Sequence, residues 1–124
     1  EGEPYFGKDA LTDKPARFFV TEIIREKILL NYDKEVPYST EVIVEKFEEG
    51  EGSIHIMAVI YVERDSQKGI LIGKGGSMLK RVGTEARKDI EKFFDKRVYL
   101  ELFVKVEPNW RNRENKLRQF GYIE

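Results

Sequence analysis

Two segments of the chain alternate apolar and polar residues, the pattern of half-buried strands. Apolar side chains occupy every second position in residues 54–62 and again in 98–106, and residues 39–47 are rich in β-branched side chains. Because successive strand side chains point to opposite faces, each segment is predicted to place one face against a core. Segments 39–47 and 54–62 flank an acidic turn with Gly50 and Gly52, which predicts an antiparallel hairpin.

Four other segments predict helices. Residues 15–30 and 77–94 carry apolar positions three or four apart, which lie on one helical face. Shorter helices are expected at 67–72 and 110–120. The resulting order is helix, strand, strand, helix, helix, strand, helix. We expect an α+β fold, with one antiparallel-leaning sheet and the helices on one of its faces.

Polar residues indicate where two of these helices begin. Thr12 or Asp13 can cap the first helix, whose first turn would hold Pro15, where a missing amide proton costs nothing. Asp65 or Ser66 can cap the short helix.

Length and composition exclude several classes of protein. The 124 residues suit a single domain, and the absence of cysteine excludes disulfide frameworks, thiolate zinc sites and cysteine nucleophiles. No apolar run is long enough for a membrane span and no signal peptide opens the chain, so we expect a cytoplasmic protein.

Residues 1–14 show no hydrophobic period and are predicted to be a linker before a domain of residues 15–124. The Glu-Gly start suggests a piece of a longer protein.

The formal net charge of −1 conceals an uneven distribution of charge. Between Ser66 and Arg97, nine basic residues stand against four acidic ones, whereas between Glu35 and Glu51 six acidic residues stand against one lysine. A nucleic-acid backbone would be attracted to the first region and repelled by the second. Lys68 belongs to the basic region.

The basic region contains Gly73-Lys74-Gly75-Gly76, directly before the longer helix. Glycine lets a phosphate approach the backbone, the first amides of the helix favour an anion, and Lys74 adds a cation. We expect these glycines to lie in a solvent-facing turn that the core does not need. Taken alone, the motif is also typical of a plain turn between helices. A nucleotide-binding P-loop is excluded, because Gly75 stands where that motif needs Ser or Thr.

No catalytic group of residues emerges from the chain. His55 is the only histidine, and it lies in a predicted strand without an acid at a useful spacing. We therefore expect no enzymatic activity, no metal and no cofactor in this chain. Trp110 is expected to dock the last helix, with stacking on RNA as the alternative.

The layout around the glycine motif is that of a KH domain, in which a GXXG loop clamps about four nucleotides of a single strand. The short helix ends in Ile70, Leu71 and Ile72, apolar residues suited to flat bases. Because so short a helix cannot turn them all to solvent, at least one is expected in the core.

The stretch Val62 to Gly76, VERDSQKGILIGKGG, resembles the hallmark of the C-terminal KH domain in the family of Era, the bacterial ribosome-assembly GTPase. Similar pieces elsewhere extend the resemblance over essentially the whole chain, although Gly7 stands where the family usually has proline. The resemblance implies a type II KH domain, α-β-β-α-α-β, with a three-stranded sheet packed by helices and a C-terminal helix. The resemblance places the family's RNA-binding loop on Gly73, Lys74, Gly75 and Gly76, and its groove-lining positions on Ile70 and Ile72, with Lys80 and Arg81 on the following helix. The charge distribution adds Lys68 to the expected RNA-binding residues.

The resemblance also implies partners. The expected ligand is single-stranded RNA at the 3′ end of 16S rRNA, in the small ribosomal subunit, bound by a monomer. GTP and Mg²⁺ are expected only in the family's N-terminal GTPase domain, which this chain lacks. The family also associates peripherally with the inner membrane, and the resemblance extends this property only weakly, and only to a full-length parent protein. The alternatives are a KH module with a different RNA target and, further off, an enzyme acting on nucleotides.

Overall fold

A computed structural model of the chain describes residues 8–33, 36 and 40–108. The described elements follow the predicted order, so the α+β fold with the α-β-β-α-α-β layout is confirmed. The predicted C-terminal helix at 110–120 lies outside the described residues. The elements are α1 (Lys8–Asn31), β1 (Glu41–Glu49), β2 (Ser53–Val62), α2 (Asp65–Ile72), a 3₁₀ turn (Lys74–Gly76), α3 (Ser77–Phe94) and β3 (Arg97–Val106).

The three strands form one sheet in the order β1-β2-β3. β1 and β2 are antiparallel and meet at a tight turn, in which the Gly50 amide donates to the Ser53 carbonyl at 2.7 Å. β3 runs parallel to β2, with Leu100 opposite Ile56. The expectation of an antiparallel-leaning sheet is therefore wrong for β3. The reason is the connection, because α2 and α3 together carry the chain back to the end of the sheet at which β2 began.

Among the described residues, the main apolar core lies between the helices and one face of the sheet. The predicted inward face of β2 is confirmed, since Ile54, Ile56, Ala58, Ile60 and Val62 are all fully buried. The alternation of burial itself ends at Ala58, because Val59 and Tyr61 on the other face are buried as well. Helices α1 and α3 pack against that face through residues three or four positions apart: Val20, Ile24, Ile28, Val82, Ala86 and Ile90. This packing places the start of α3, and the glycine motif before it, at one end of the helical layer.

The first helix is longer than the sequence predicts. α1 begins at Lys8, so the prediction of a start after Thr12 or Asp13 is wrong, and Pro15 lies inside the helix. Proline there removes one amide donor, but Pro15 is exposed, and burial of Ala16 and the residues that follow holds the helix to the core. Residues 8–14 of the predicted linker are thus helical, while the division into linker and domain stays a prediction.

The short helix is capped differently from the prediction. α2 begins at Asp65, and neither Asp65 nor Ser66 caps it. Instead the side-chain oxygen of Gln67 accepts hydrogen bonds from the amides of Glu63 and Arg64, both at 3.0 Å. A side chain at the third helical position reaches back to the amides before the helix, as in a capping box. The bounds of α3 agree with the prediction at both ends.

Candidate nucleic-acid interface

The glycine loop joins α2 to α3 through three residues in left-handed or related backbone conformations. The φ angle is +76° at Gly73, +63° at Gly75 and +79° at Gly76, a region that other residues rarely adopt. The loop glycines nevertheless differ in their surroundings. A Cβ at Gly73 would lie 2.9 Å from the backbone nitrogen of Met78, whereas a Cβ at Gly75 or Gly76 would meet no atom within 4 Å.

The loop therefore needs glycine at position 73 in order to fold, and of the loop glycines only Gly75 and Gly76 face open space. The close approach of Gly73 to Met78 turns the loop back onto the first turn of α3. The expectation that these glycines all lie apart from the packed structure is wrong at Gly73, because a side chain there would push against α3 backbone. At Gly75 and Gly76 the same expectation agrees with the structure.

The amino-terminal end of α3 has no side-chain cap, and the 3₁₀ turn before it uses two amides, since Gly76 donates to the Gly73 carbonyl at 3.1 Å and Ser77 donates to the Lys74 carbonyl. Its N-cap residue is Gly76, which has no side chain to cap the helix, and no side-chain cap hydrogen bond is formed. The first amides of a helix have no partner within the helix, and the helix dipole adds positive potential there. The exposed Lys74 lies at the tip of the same loop. Together these groups suit a phosphate.

A groove of about 370 Å³ runs from the loop between α3 and the edge strand β3. Its helical wall consists of residues three or four positions apart, which share one helix face. Leu100 and Leu102 from β3 supply its apolar side, while Lys80, Thr84 and Arg87 supply polar and cationic groups. The lining residues are Gly76, Leu79, Lys80, Gly83, Thr84, Arg87, Leu100 and Leu102. An apolar floor with a cationic rim suits a base and its phosphate.

Gly83 keeps the groove open at its middle. It lies inside α3, and a Cβ built there would already be 3.5 Å from Cδ1 of Leu102. A longer side chain would therefore extend across the gap between α3 and β3. Glycine inside a helix is unfavourable by roughly 1 kcal/mol relative to alanine, so its presence costs stability and leaves space.

The structure gathers only some of the predicted site residues around this groove. Gly76 and Lys80 line it. Lys68, Ile70, Ile72 and Arg81 do not belong to its lining. Ile70 is 51% exposed on α2, whereas Ile72 is partly buried against the core. Leu71 is fully buried, which confirms that at least one of the three apolar residues of α2 lies in the core.

Six lining residues were not predicted from the sequence. Leu100 and Leu102 were counted only as core residues, yet their partial burial leaves one side for the groove. Arg87 was counted only as one of the nine basic residues between Ser66 and Arg97. The signal for the helical members was the spacing from Gly76, since a step of three or four leads to Leu79, Lys80, Gly83, Thr84 and Arg87.

The cations at the loop end of the groove are not neutralised by the described part of the chain. Within it, no carboxylate lies within 4.0 Å of the side-chain nitrogens of Lys74, Lys80 or Arg81. Their positive charge is therefore available to an anionic ligand.

Arg87, at the far end of the groove, is held by Glu91. Its guanidinium nitrogen lies 3.1 Å from the Glu91 carboxylate. The same carboxylate accepts a hydrogen bond of 2.9 Å from the amide of Val98. The Val98 amide above all, with Arg87 after it, holds the pKa of Glu91 below its usual value. Glu91 thus joins the end of α3 to the start of β3.

Two further properties concern the described residues as a whole. None of the helices in residues 8–33 and 40–108 combines the length and the apolar character that crossing a bilayer requires. Over the same ranges, His, Asp and Glu side chains form no group of three or more that could hold a metal ion.

The chain is similar to known proteins along its whole length. A family model for the KH domain matches residues 35–111. GTPase Era of Geotalea daltonii is 54% identical over 123 residues, and that of Syntrophus aciditrophicus is 55% identical over 126 residues. These matches cover 98% and 100% of the chain but only 41% of each relative. The chain therefore spans about two-fifths of the length of these relatives.

Solved structures give the same result. A crystal structure of Era in complex with MgGDPNP and nucleotides 1506–1542 of 16S ribosomal RNA is 41% identical, with a TM-score of 0.81, over 98% of this chain and 41% of that one. A structure of Aquifex aeolicus Era bound to GDP and aluminium fluoride is 42% identical, also with a TM-score of 0.81, over 98% of this chain and 42% of that one. The chain belongs to the KH domain family, in the form that GTPase Era carries at its C-terminus.

Proposed function

We propose that this chain binds single-stranded RNA through the glycine loop and the groove between α3 and β3. The observation that supports this most is the continuity of the two features. Gly76 is both the uncapped start of α3 and the first lining residue of the groove. A phosphate held at the loop would thus leave its base at the mouth of an apolar groove.

The groove favours an unpaired strand over a duplex. It has α3 on one side and an edge strand of the described sheet on the other, and its apolar side chains suit the flat face of a base. Bases in a duplex are stacked and paired, so they cannot enter such a groove. KH domains clamp about four nucleotides of single strand in this manner.

The proposed target is the 3′ end of 16S ribosomal RNA. Its support is the similarity to Era crystallised with nucleotides 1506–1542 of that RNA. The proposed setting is the cytoplasm, where the domain would act as a monomer on the small ribosomal subunit. Peripheral association with the inner membrane is proposed only for a full-length parent.

Catalysis is proposed to belong to a different part of the parent protein. The loop has Gly75 after Lys74, so it lacks the hydroxyl that a P-loop offers to Mg²⁺. GTP and Mg²⁺ would bind only in a GTPase domain outside this chain. Titration calorimetry should show no saturable binding of GTP to this chain, and a saturable isotherm would contradict the proposal.

A pair of lysine variants tests the binding site. Lys74→Ala should weaken binding to different single-stranded sequences alike, because a lysine at the loop contacts the phosphate backbone. Lys105→Ala removes the same charge from an exposed position on the sheet face opposite the helices, and serves as the matched control. Fluorescence anisotropy with a labelled RNA measures both. An equal loss of RNA affinity in the two variants would show nonspecific attraction to positive charge and would contradict a binding site at the loop.

A further inference from the structure

Tyr32 links the end of α1 to the end of α2, just before the glycine loop. Its phenol oxygen donates a hydrogen bond of 2.5 Å to the carbonyl oxygen of Leu71. Leu71 is fully buried and lies two residues before Gly73. The last carbonyls of a helix have no partner within it, so an outside donor is needed where they are buried. The Tyr32 phenol is that donor for α2.

The phenol is well placed to act as a permanent donor. Tyr32 is partly buried and packs against the apolar core. Burial raises its pKa to about 12, so the hydroxyl keeps its proton at neutral pH. Its backbone amide donates to the carbonyl of Ile28 at 3.2 Å, which extends the hydrogen bonding of α1 by one residue. Ring and backbone are therefore both fixed.

The end of α1 is bonded to α3, the helix that forms one wall of the groove. The side-chain amide of Asn31 donates to Glu85 at 2.9 Å, and the Lys27 ammonium lies 2.6 Å from the carboxylate of Asp89. Through these contacts the position of Tyr32 is defined relative to α3. The hydrogen bond to Leu71 then defines the position of α2 relative to the same helix.

The glycine loop is thereby held from both sides. On the α3 side, Gly73 packs against the backbone of Met78. On the α2 side, the Gly73 amide donates to Gly69 at 2.9 Å in the turn that Tyr32 holds through Leu71. The described hydrogen bond of the Tyr32 hydroxyl goes to Leu71, which does not line the groove, so we expect an effect on RNA to act through the loop.

We propose that Tyr32 is a positioning residue for RNA binding. Its hydrogen bond to Leu71 sets the angle at which α2 presents Gly75 and Gly76 to a phosphate. A loop already held in its binding conformation loses less entropy when RNA binds, which increases affinity. This inference rests on the proposed RNA-binding function.

The test compares two tyrosine variants that each lose one hydroxyl. Tyr32→Phe keeps the ring and removes the donor to Leu71. Tyr61→Phe is the matched control, because its hydroxyl donates to Glu45 at 3.3 Å on the opposite face of the sheet. At a temperature where both variants are fully folded, Tyr32→Phe should bind a short single-stranded RNA up to about 5-fold more weakly, because a loop released from this bond must be ordered when RNA binds, and the whole bond is worth only about 1 kcal/mol. Tyr61→Phe should stay within about 2-fold of wild type, because its bond is not coupled to the loop.

Amide NMR separates positioning from general destabilisation. The amide signals of Gly75 and Gly76 should shift in Tyr32→Phe and stay in place in Tyr61→Phe. Failure of the wild type to bind the RNA would overturn the proposed function itself. Wild-type binding together with equal affinity and unshifted loop signals in Tyr32→Phe would overturn the positioning role alone. In the wild type, a Gly73 amide that exchanges as fast as an exposed loop amide would also overturn it, without any variant.

Discussion

Placing a negative charge at Gly75 should show whether a phosphate binds at the glycine loop. Gly75 has φ +63° and ψ +21°, and a Cβ there meets nothing within 4 Å. Asp and Asn are the residues that best tolerate this conformation, and their side chains have nearly the same shape. Gly75→Asp and Gly75→Asn therefore share the backbone cost, and they differ by one negative charge.

The expected magnitude follows from Coulomb's law. A carboxylate about 6 Å from a phosphate, at an effective dielectric constant of about 40 to 80, raises the energy by about 0.7 to 1.4 kcal/mol. Two phosphates held at the loop would double this, to about 1.4 to 2.8 kcal/mol. Gly75→Asp should thus bind RNA about 10- to 100-fold more weakly than Gly75→Asn, since about 1.4 kcal/mol corresponds to a factor of ten.

The assay is fluorescence anisotropy of a labelled single-stranded RNA, at low and at high salt. The ratio between the two variants should shrink as salt screens the added charge. Thermal unfolding should place both variants at similar stability, because neither side chain meets a neighbour. Equal affinities for Gly75→Asp and Gly75→Asn at low salt would refute the reasoning. Gly73 is unsuited to this comparison, because any Cβ there collides with Met78.

Three further variants test the groove and the packing. Gly83→Leu should weaken RNA binding by roughly 10-fold or more in the anisotropy assay, because its side chain extends toward Leu102 across the groove; unchanged affinity would contradict the groove as a site. Gly69→Ala, in α2 with open space at its Cβ, should raise the free energy of unfolding by about 0.5 to 1 kcal/mol in urea and leave affinity unchanged. Burial raises the pKa of Tyr32 to about 12 in the folded state, above its value of about 10 in the unfolded chain. The protonated phenol therefore contributes its full stabilisation below about pH 10, and this contribution is lost as the pH rises to 12. Between pH 10 and pH 12, the free energy of unfolding measured in urea should fall less in Tyr32→Phe than in the wild type. An equal fall in both proteins would contradict burial of the phenol.

Local patterns in the sequence were sufficient for much of the fold. The inward-facing residues of β2 and the helical spacing of α3 depend on which side chains face one shared core, so both predictions agree with the structure. The GKGG motif predicted a turn, and the structure has a turn there in which Gly73, Gly75 and Gly76 adopt positive φ. These features are set by neighbours in the chain.

Features that depend on residues distant in the chain could not be predicted from the sequence. The parallel pairing of β3 depends on the path through α2 and α3. The groove depends on how closely α3 approaches that strand, so Leu100 and Leu102 could be assigned to the core but not to its open side. The start of α1 was misplaced for a related reason. Proline usually marks a helix start, but here the buried face that begins at Ala16 supports the helix around it.

The affinity for one RNA in three forms tests the central proposal most directly. The forms are a single strand copying the 3′ end of 16S rRNA, the same strand annealed to its complement, and a scrambled single strand. The authentic single strand should bind best, and its duplex should bind much more weakly. For the single strand, the slope of log affinity against log salt should be roughly −2 to −4, at about −0.7 per neutralised phosphate. Equal affinity for the three forms would contradict the account, because a nonspecific cationic surface would explain it equally well.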